Sequence, residues 1–302
     1  MDDTPPLIAA GKGLPALPFH LCLWLVRRDD VLFGMPPEFQ EFIAVDWSGA
    51  KGPRLRGLQV ASCRPGNGAP KLIRRPPSWT RIGVMEYAVA RAKKTGPVLA
   101  GFDFGFAYPF DDCDTSFPGL DLRPPDAVSL WALIESLSGD APDLYGGLAA
   151  QPPSPIAPFF NVHHNRGRWF SNRRLRLTER LCPTRPSCMF NGVGPASVGV
   201  GSLAGMRLLH HLKQRRDLRV AVWPFDAVDD ADLVVVEIFP RLYARTTSMN
   251  PRAPLTEDEY DALISADALR SLSASPPVWD HKGNEGWIFG VATSRTRTAS
   301  DR

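Results

Sequence analysis

Three apolar segments of this sequence each carry an acidic residue near their end, and this pattern most constrains the fold. Residues 42–52 read FIAVDWSGAKG, residues 96–104 read GPVLAGFDF, and residues 232–240 read DLVVVEIFP. Short continuous apolar runs bounded by Gly or Pro are typical of strands buried on both faces of a sheet. The sequence therefore predicts three buried strands with a carboxylate at or near the end of each, namely Asp46, Asp103 and Glu237.

The remaining elements predict an α/β protein. Weaker strand patterns at 57–63 and 70–74 follow the first strand, and a helical pattern covers 78–94, with Ser78 as its cap. The clearest helix is predicted over 256–272 and opens with a capping box. The order is three strands, a helix, a strand, a long insertion, a strand and a helix. That order predicts a mixed five-stranded sheet with helices on both faces.

The chain is predicted to be one domain with additions at both ends. The domain covers 41–293, with an insertion at about 105–231 and a last short strand at 285–293. Thirty prolines in 302 residues, about twice the usual ~5% share, account for the irregular insertion. Residues 1–40 are predicted to be an N-terminal extension, with the hypothesis that the native chain starts near Met35, and residues 294–302 form a polar tail.

Composition and cysteine usage limit the class of protein. An apolar fraction of 44% with 22% charged residues excludes a disordered or fibrous chain, and a net charge of +3 does not by itself argue for nucleic acid. The five cysteines are widely spaced and form no C-x-x-C pair, which predicts a reducing cytoplasm. The longest apolar stretch near the N-terminus, 14–26, is interrupted by proline and too short to span a bilayer, so no membrane partner is expected.

The acidic residues are the candidate functional groups. Strand-end carboxylates of an open α/β sheet face the edge where ligands bind, and two acids three positions apart on a helix share one face. Clustered carboxylates repel one another, and a hard divalent cation is the usual compensation. Asp267 is either a further ligand or a helix-to-loop contact. The predicted catalytic residues are Asp46, Asp103, Asp261, Asp258 and Glu237, and the predicted ligands of Mg²⁺ or Mn²⁺ are Asp46, Asp103 and Asp261.

Several short motifs, in order along residues 40–293, resemble the domain-of-unknown-function 429 family. The motifs are VDWSGA (45–50), GFDFGFAYP (101–109), WPFD (223–226), VVVEIFPRLY (234–243), DEYDALISA (258–266) and GWIFGVA (286–292). Members of this family are described as predicted RNase H-like nucleases. The resemblance implies an RNase H-like sheet of order three-two-one-four-five, which places Asp46 beside Asp103. The spacing of Asp258 and Asp261 is similar to that of Holliday-junction resolvases, although many family members have His-Asp where this chain has Asp258-Glu259.

The leading hypothesis is therefore a metal-dependent nuclease that hydrolyses phosphodiester bonds. In it, Asp46 bridges two ions, Asp103 and Asp261 complete their ligand shells, and Asp258 or Glu237 orients water. DNA, RNA and small phosphoesters all fit this chemistry. The alternative is a catalytically silent RNase H-fold protein that binds nucleic acid or a nucleotide. The sequence carries no pattern that indicates an oligomeric state.

An Arg-rich segment is the candidate nucleic-acid interface. Residues 163–180 contain six Arg with aromatic residues between them, a pattern typical of proteins that bind phosphates and stack on unpaired bases. The alternative is an Arg-rich surface loop produced by biased coding. The predicted nucleic-acid-binding residues, for DNA or RNA, are Arg166, Arg168, Trp169, Arg173, Arg174 and Arg176.

Overall fold

The computed structural model describes residues 35–52, 54–194, 197–247 and 255–293, which belong to one compact unit spanning 33–302. Most of the predicted N-terminal extension (1–34) and the predicted tail (294–302) lie outside the described residues. Within the described part of the chain, no helix has the length and apolar character needed to cross a bilayer.

A mixed six-stranded sheet organises the chain, in the order β3-β2-β1-β4-β6-β5. Strands β1, β4, β6 and β5 run parallel, and β2 and β3 add an antiparallel pair beside β1. The predicted mixed α/β class is therefore confirmed. The strands are β1 (Glu41–Asp46), β2 (Gln59–Cys63), β3 (Lys71–Leu72), β4 (Val98–Phe102), β5 (Val220–Val222) and β6 (Leu233–Glu237).

The predicted count of five strands is wrong. The additional strand, β5, lies within the predicted insertion and is only three residues long, too short to show a strand pattern in the sequence. The strand predicted at 285–293 is reduced to one bridge between Ile288 and Glu237. Gly286 and Gly290 have φ angles of +73° and +92° and turn the chain at both sides of that bridge.

The described residues form six α-helices, of which α1, α4 and α6 pack on the sheet. Helix α1 begins at Arg81 rather than 78, with Thr80 as its N-cap instead of Ser78, because Thr80 Oγ1 accepts a hydrogen bond from the Gly83 amide at 2.9 Å. The predicted capping box of α6 is confirmed. The helices are α1 (Arg81–Thr95), α2 (Ala127–Ser138), α3 (Leu177–Leu181), α4 (Gly199–Lys213), α5 (Pro240–Tyr243) and α6 (Glu257–Ser273).

Two apolar layers cover the two faces of the sheet. Ile43 and Val45 point to the layer that contains α1, α2 and α4, whereas Phe42 and Ala44 point to the layer that contains α6, because side chains alternate along a strand. Helix α4, from the predicted insertion, is thus part of the main core. The parallel strands β1, β4 and β6 end at one edge of the sheet, and their terminal carboxylates meet there.

Candidate active site

The ends of β1 and β4 place two aspartates side by side. Val45 pairs with Phe102 in the parallel ladder, and the Asp103 amide continues it by donating to the Val45 carbonyl at 3.0 Å. The next side chains are those of Asp46 and Asp103, which lie close enough for the charge of Asp103 to raise the pKa of Asp46, and Asp46 is only 9% exposed. The predicted meeting of the two strand-end aspartates is therefore present in the structure.

Helix α6 brings two more aspartates to the same place. The helix packs across β1 and β2, and Asp258 and Asp261 lie three residues apart near its start. The charges of Asp258 and Asp261 both act on Asp46, and the charge of Asp261 also acts on Asp103. We call Asp46, Asp103, Asp258 and Asp261 the carboxylate cluster.

Burial raises the pKa of every member of the carboxylate cluster, and the charges of neighbouring carboxylates raise it further. For Asp46 the largest cause is burial, followed by the charges of Asp103, Asp258 and Asp261. The pKa of Asp103 is raised by burial and then by the charges of Asp261 and Glu237, and that of Asp261 rises to about 6. Within the described ranges, no Lys or Arg forms an ion pair with any of the four. The four clustered carboxyl groups therefore lack a cationic partner in the described part of the chain.

The chemistry of this donor set fits a hard divalent cation. All four side chains offer oxygen, the ligand that Mg²⁺ and Mn²⁺ prefer, and they come from three separate elements. Carboxyl groups with raised pKa values retain protons, and a cation held by the same oxygens would replace those protons. Among the described residues, no group of three or more His, Cys, Asp or Glu side chains already stands at metal-ligand spacing, so binding would require these carboxylates to move.

A buried arginine fixes the backbone that follows Asp46. Arg81, 1% exposed, donates to the Ser48 and Ala50 carbonyls, each at 2.7 Å. Asp143 accepts from the Arg81 and Ile82 amides and so caps α1. Sequence reasoning missed this clamp because its partners are 31 to 62 residues apart, and no local pattern marks them.

The first turn of α4 packs directly on the loop after Asp46. A Cβ atom on Gly49 would lie 2.5 Å from the Gly201 nitrogen, so only glycine fits at this approach. Trp47 Nε1 donates to the Gly201 carbonyl at 2.9 Å. These contacts fix the loop of residues 47–51 between α1 and α4.

Glu237 is not available for the catalytic role predicted from its position. Arg176 donates to both of its carboxylate oxygens, at 2.7 and 2.5 Å, and Oε2 also accepts from the Phe106 amide at 3.0 Å. Arg176 is held in turn by Glu179 at 2.9 Å. Glu237 is 3% exposed and serves as an anchor for the backbone that follows Asp103.

The predicted nucleic-acid-binding roles of Arg174 and Arg176 are wrong. Both guanidinium groups are buried: Arg174 donates to the Asp112 carboxylate and to the Ser116 carbonyl, and Arg176 holds the glutamates described above. Their charges stabilise the interior and do not reach a ligand. In a sequence, an arginine buried by tertiary contacts is indistinguishable from an exposed one.

The other predicted members of the Arg-rich segment remain at the surface. Arg166 and Arg173 are exposed, and the Arg166 guanidinium lies 5.1 Å from the Phe170 ring centroid. Arg168 is exposed but donates to the Pro118 carbonyl, and Trp169 is half-buried. Among the described residues, Arg166 and Arg173 form no ion pair. Both arginines and the exposed Phe170 ring are accessible to a ligand.

Asp267 is linked to the neighbouring loop indirectly, through an ion pair within its own helix. It pairs with Arg270 one turn later, and Arg270 donates to the Gly68 carbonyl at 2.6 Å. Asp267 therefore lies outside the carboxylate cluster.

Comparisons of this chain with protein-family models, with curated proteins and with solved structures returned no match. The functional inference accordingly depends on the side-chain geometry of the chain itself.

Proposed function

We propose that this protein is a Mg²⁺- or Mn²⁺-dependent nuclease with an RNase H-like fold, as the resemblance to the domain-of-unknown-function 429 family implies. The single observation that supports it is the carboxylate cluster: Asp46 and Asp103 on adjacent parallel strands, joined by Asp258 and Asp261 from α6, without a compensating cation from the described chain. Such a cluster is costly in isolation and becomes favourable when a divalent ion is bound.

The chain's own residues would divide the work as follows. Asp46, Asp103 and Asp261 hold the cation, and Asp258 orients the attacking water through its position beside Asp46. A bound Mg²⁺ or Mn²⁺ supplies Lewis-acid polarisation of the scissile phosphate. Arg81 and the Arg176–Glu237 pair keep the backbones that carry Asp46 and Asp103 in place. Water oxygen bonds to phosphorus, the phosphorus–oxygen ester bond breaks, and the products are a phosphomonoester end and a hydroxyl end.

The sheet supports the fold part of the proposal. Strands β3-β2-β1-β4 follow one another in the expected order, and β6 takes the place expected of the fifth strand, with β5 as an addition at the edge. A central parallel β1–β4 pair is what brings the two aspartates together.

Accessible cations and aromatic rings support nucleic acid as the partner. Arg166 and Arg173 are exposed beside Trp169 and Phe170, and guanidinium groups with aromatic faces suit phosphates and unpaired bases. The proposal places the protein in the cytoplasm, because its described cysteines are free thiols.

Cleavage assays with the purified full chain test the proposal. Single- and double-stranded DNA and RNA, and a small phosphodiester, are incubated with Mg²⁺, Mn²⁺ or EDTA. We expect cleavage that needs the metal and is lost in Asp46→Asn but kept in Asp230→Asn. Asp230 is a matched control because its carboxylate is exposed and pairs with Arg219 far along the chain from the cluster.

Two results would contradict the nuclease proposal. Equal cleavage by the wild-type protein and Asp46→Asn would show that the activity does not depend on the carboxylate cluster. Tight, metal-independent binding of nucleic acid with no turnover of any substrate would favour the alternative, a silent nucleic-acid-binding protein.

A further inference from the structure

An open cleft of about 700 Å³ lies between the segment 145–165 and the start of α4. Its apolar wall is formed by the ring of Tyr145, several prolines and the side chains of Val162 and Val200. Two side-chain amides, Gln151 and Asn165, line the same cleft. A cleft of this volume, apolar with a few polar groups, has the dimensions and character of a small-molecule site.

This cleft adjoins the loop that carries the carboxylate cluster. Val200 lines the cleft, and the next residue, Gly201, is in backbone contact with Gly49. On the same side, Lys51 Nζ lies 5.9 Å from the centroid of the Tyr145 ring. The loop of residues 47–51 therefore borders the cleft on one side and begins at the carboxylate cluster on the other.

The lining chemistry favours a flat heteroaromatic ring that carries an anionic group. An aromatic face with proline side chains suits stacking of a base, and side-chain amides pair with the hydrogen-bonding edges of bases. The Asn165 amide is oriented by donating to the Ala157 and Phe160 carbonyls. Lys51 is exposed, and its ammonium beside the Tyr145 ring provides a partner for a phosphate.

We infer that this cleft binds one nucleotide unit of the substrate, with its base against Tyr145 and its phosphate towards Lys51. The inference rests on the proposed function, since it makes the cleft the subsite that delivers a phosphodiester to the carboxylate cluster. It assigns a role to Tyr145, Gln151 and Lys51, none of which belongs to the predicted site.

Calorimetric titration of the full chain with 5′-AMP and 5′-UMP tests the assignment, with inorganic phosphate as a separate probe. These monophosphates contain no diester, so binding is measured without cleavage. We expect both nucleotides to bind. Tyr145→Ala should weaken binding by roughly 5- to 150-fold, the effect of losing one base–aromatic stack. Tyr145→Phe keeps the ring and should bind like the wild-type protein.

Two further variants distinguish binding in the cleft from effects of mutation elsewhere in the same segment. Gln151 is exposed, so Gln151→Trp should fold and should block the cleft. Leu148 is 42% exposed in the same segment and does not line the cleft, so Leu148→Ala should leave binding unchanged. A thermal melt of each variant shows whether it is folded. If Tyr145→Ala does not fold, Gln151→Trp tests the cleft in its place.

The outcomes distinguish this inference from the nuclease proposal. If Asp46→Asn loses cleavage but still binds 5′-AMP, and Gln151→Trp loses 5′-AMP, both stand. Metal-dependent cleavage with no nucleotide binding, or with binding that Gln151→Trp leaves unchanged, overturns the cleft assignment alone. Nucleotide binding that the cleft variants abolish, in a protein without cleavage, supports the cleft and overturns the nuclease. Equal affinity for inorganic phosphate and for 5′-AMP would also overturn the cleft assignment, because the base would then contribute nothing to binding.

Discussion

Asp46 and Asp103 follow one another across the ends of two neighbouring parallel strands, close enough for the charge of Asp103 to raise the pKa of Asp46. Their raised pKa values mean that the folded protein keeps protons on these carboxyl groups at pH values where the unfolded chain has lost them. The charge of Asp258 acts on Asp46 as well, so without a bound cation the carboxylate cluster depends on protons to reduce its repulsion. A cation that replaces those protons would convert a destabilising cluster into a stabilising one.

The first prediction concerns pH. A raised pKa means that the folded state binds more protons than the unfolded state, so the free energy of unfolding falls as pH rises through that interval. For this cluster the pH interval begins near 3.8, the ordinary pKa of Asp. It extends past the pKa of Asp261, about 6, to the higher pKa values of Asp46 and Asp103. We expect thermal melts in EDTA to show decreasing stability from about pH 4 upwards, by roughly 2–4 °C for each kcal/mol lost.

Mg²⁺ provides the matching control for that pH series. At neutral pH, saturating Mg²⁺ should raise the melting temperature and flatten the pH dependence, because a ligand that binds only the folded state stabilises it. A metal-free stability that rises between pH 5 and 8 would contradict the raised pKa values.

The second prediction concerns the neutral variant Asp46→Asn. Asn is neutral at every pH and takes up no proton on folding, so Asp46→Asn should stabilise the metal-free protein at pH 7.5, on the order of 1 kcal/mol or roughly 2–4 °C in Tm, and abolish stabilisation by Mg²⁺. Melts of the wild-type protein and of Asp46→Asn, with and without Mg²⁺, measure both effects. Asp230→Asn, at an exposed ion pair, should behave like the wild type, and a destabilised Asp46→Asn in EDTA would argue for an ordinary structural aspartate.

The third prediction concerns the buried ion pairs that Arg176 forms with Glu179 and Glu237. Arg176→Met leaves two buried carboxylates, Glu179 and Glu237, without their partner, and should cost about 3–5 kcal/mol. Arg166→Met, at an exposed arginine of the same segment, should change stability by no more than about 0.5 kcal/mol. Chemical denaturation measures both, and equal small effects would contradict the buried network.

The fourth prediction concerns nucleic-acid binding. The double variant Arg166→Ala and Arg173→Ala should weaken binding of a single-stranded oligonucleotide and reduce its salt dependence by up to about 0.7 per lost phosphate contact. Fluorescence anisotropy at several salt concentrations measures the slope. Arg216→Ala, at an exposed arginine just after α4, is the matched control. An unchanged slope in the double variant would show that the Arg-rich segment is an ordinary surface loop.

The carboxylate cluster could be anticipated because its members carry local signals. Asp46 and Asp103 end buried apolar runs, and parallel neighbouring strands bring such ends together. Asp258 and Asp261 lie in a helix with a strong capping box, which fixes where that helix starts. Each signal lies within one strand or helix, so it can be recognised in the sequence without knowledge of the tertiary structure.

The partners of the charged groups could not be anticipated. Glu237 ends a buried strand as Asp46 does, yet Arg176, 61 residues away, neutralises it. Because its partner lies so far away in the sequence, the burial of Arg176 cannot be predicted from the Arg-rich segment alone. Strand β5 was missed for a different reason, because three residues that pair with only one neighbour leave no period to detect.

Titration of Mn²⁺ followed by electron paramagnetic resonance tests the central claim most directly. The account predicts that the wild-type protein binds Mn²⁺ with release of protons, and that Asp46→Asn and Asp103→Asn each lose at least tenfold in affinity while Asp230→Asn does not. Absence of Mn²⁺ binding by the wild-type protein, or equal binding by Asp46→Asn, would contradict it.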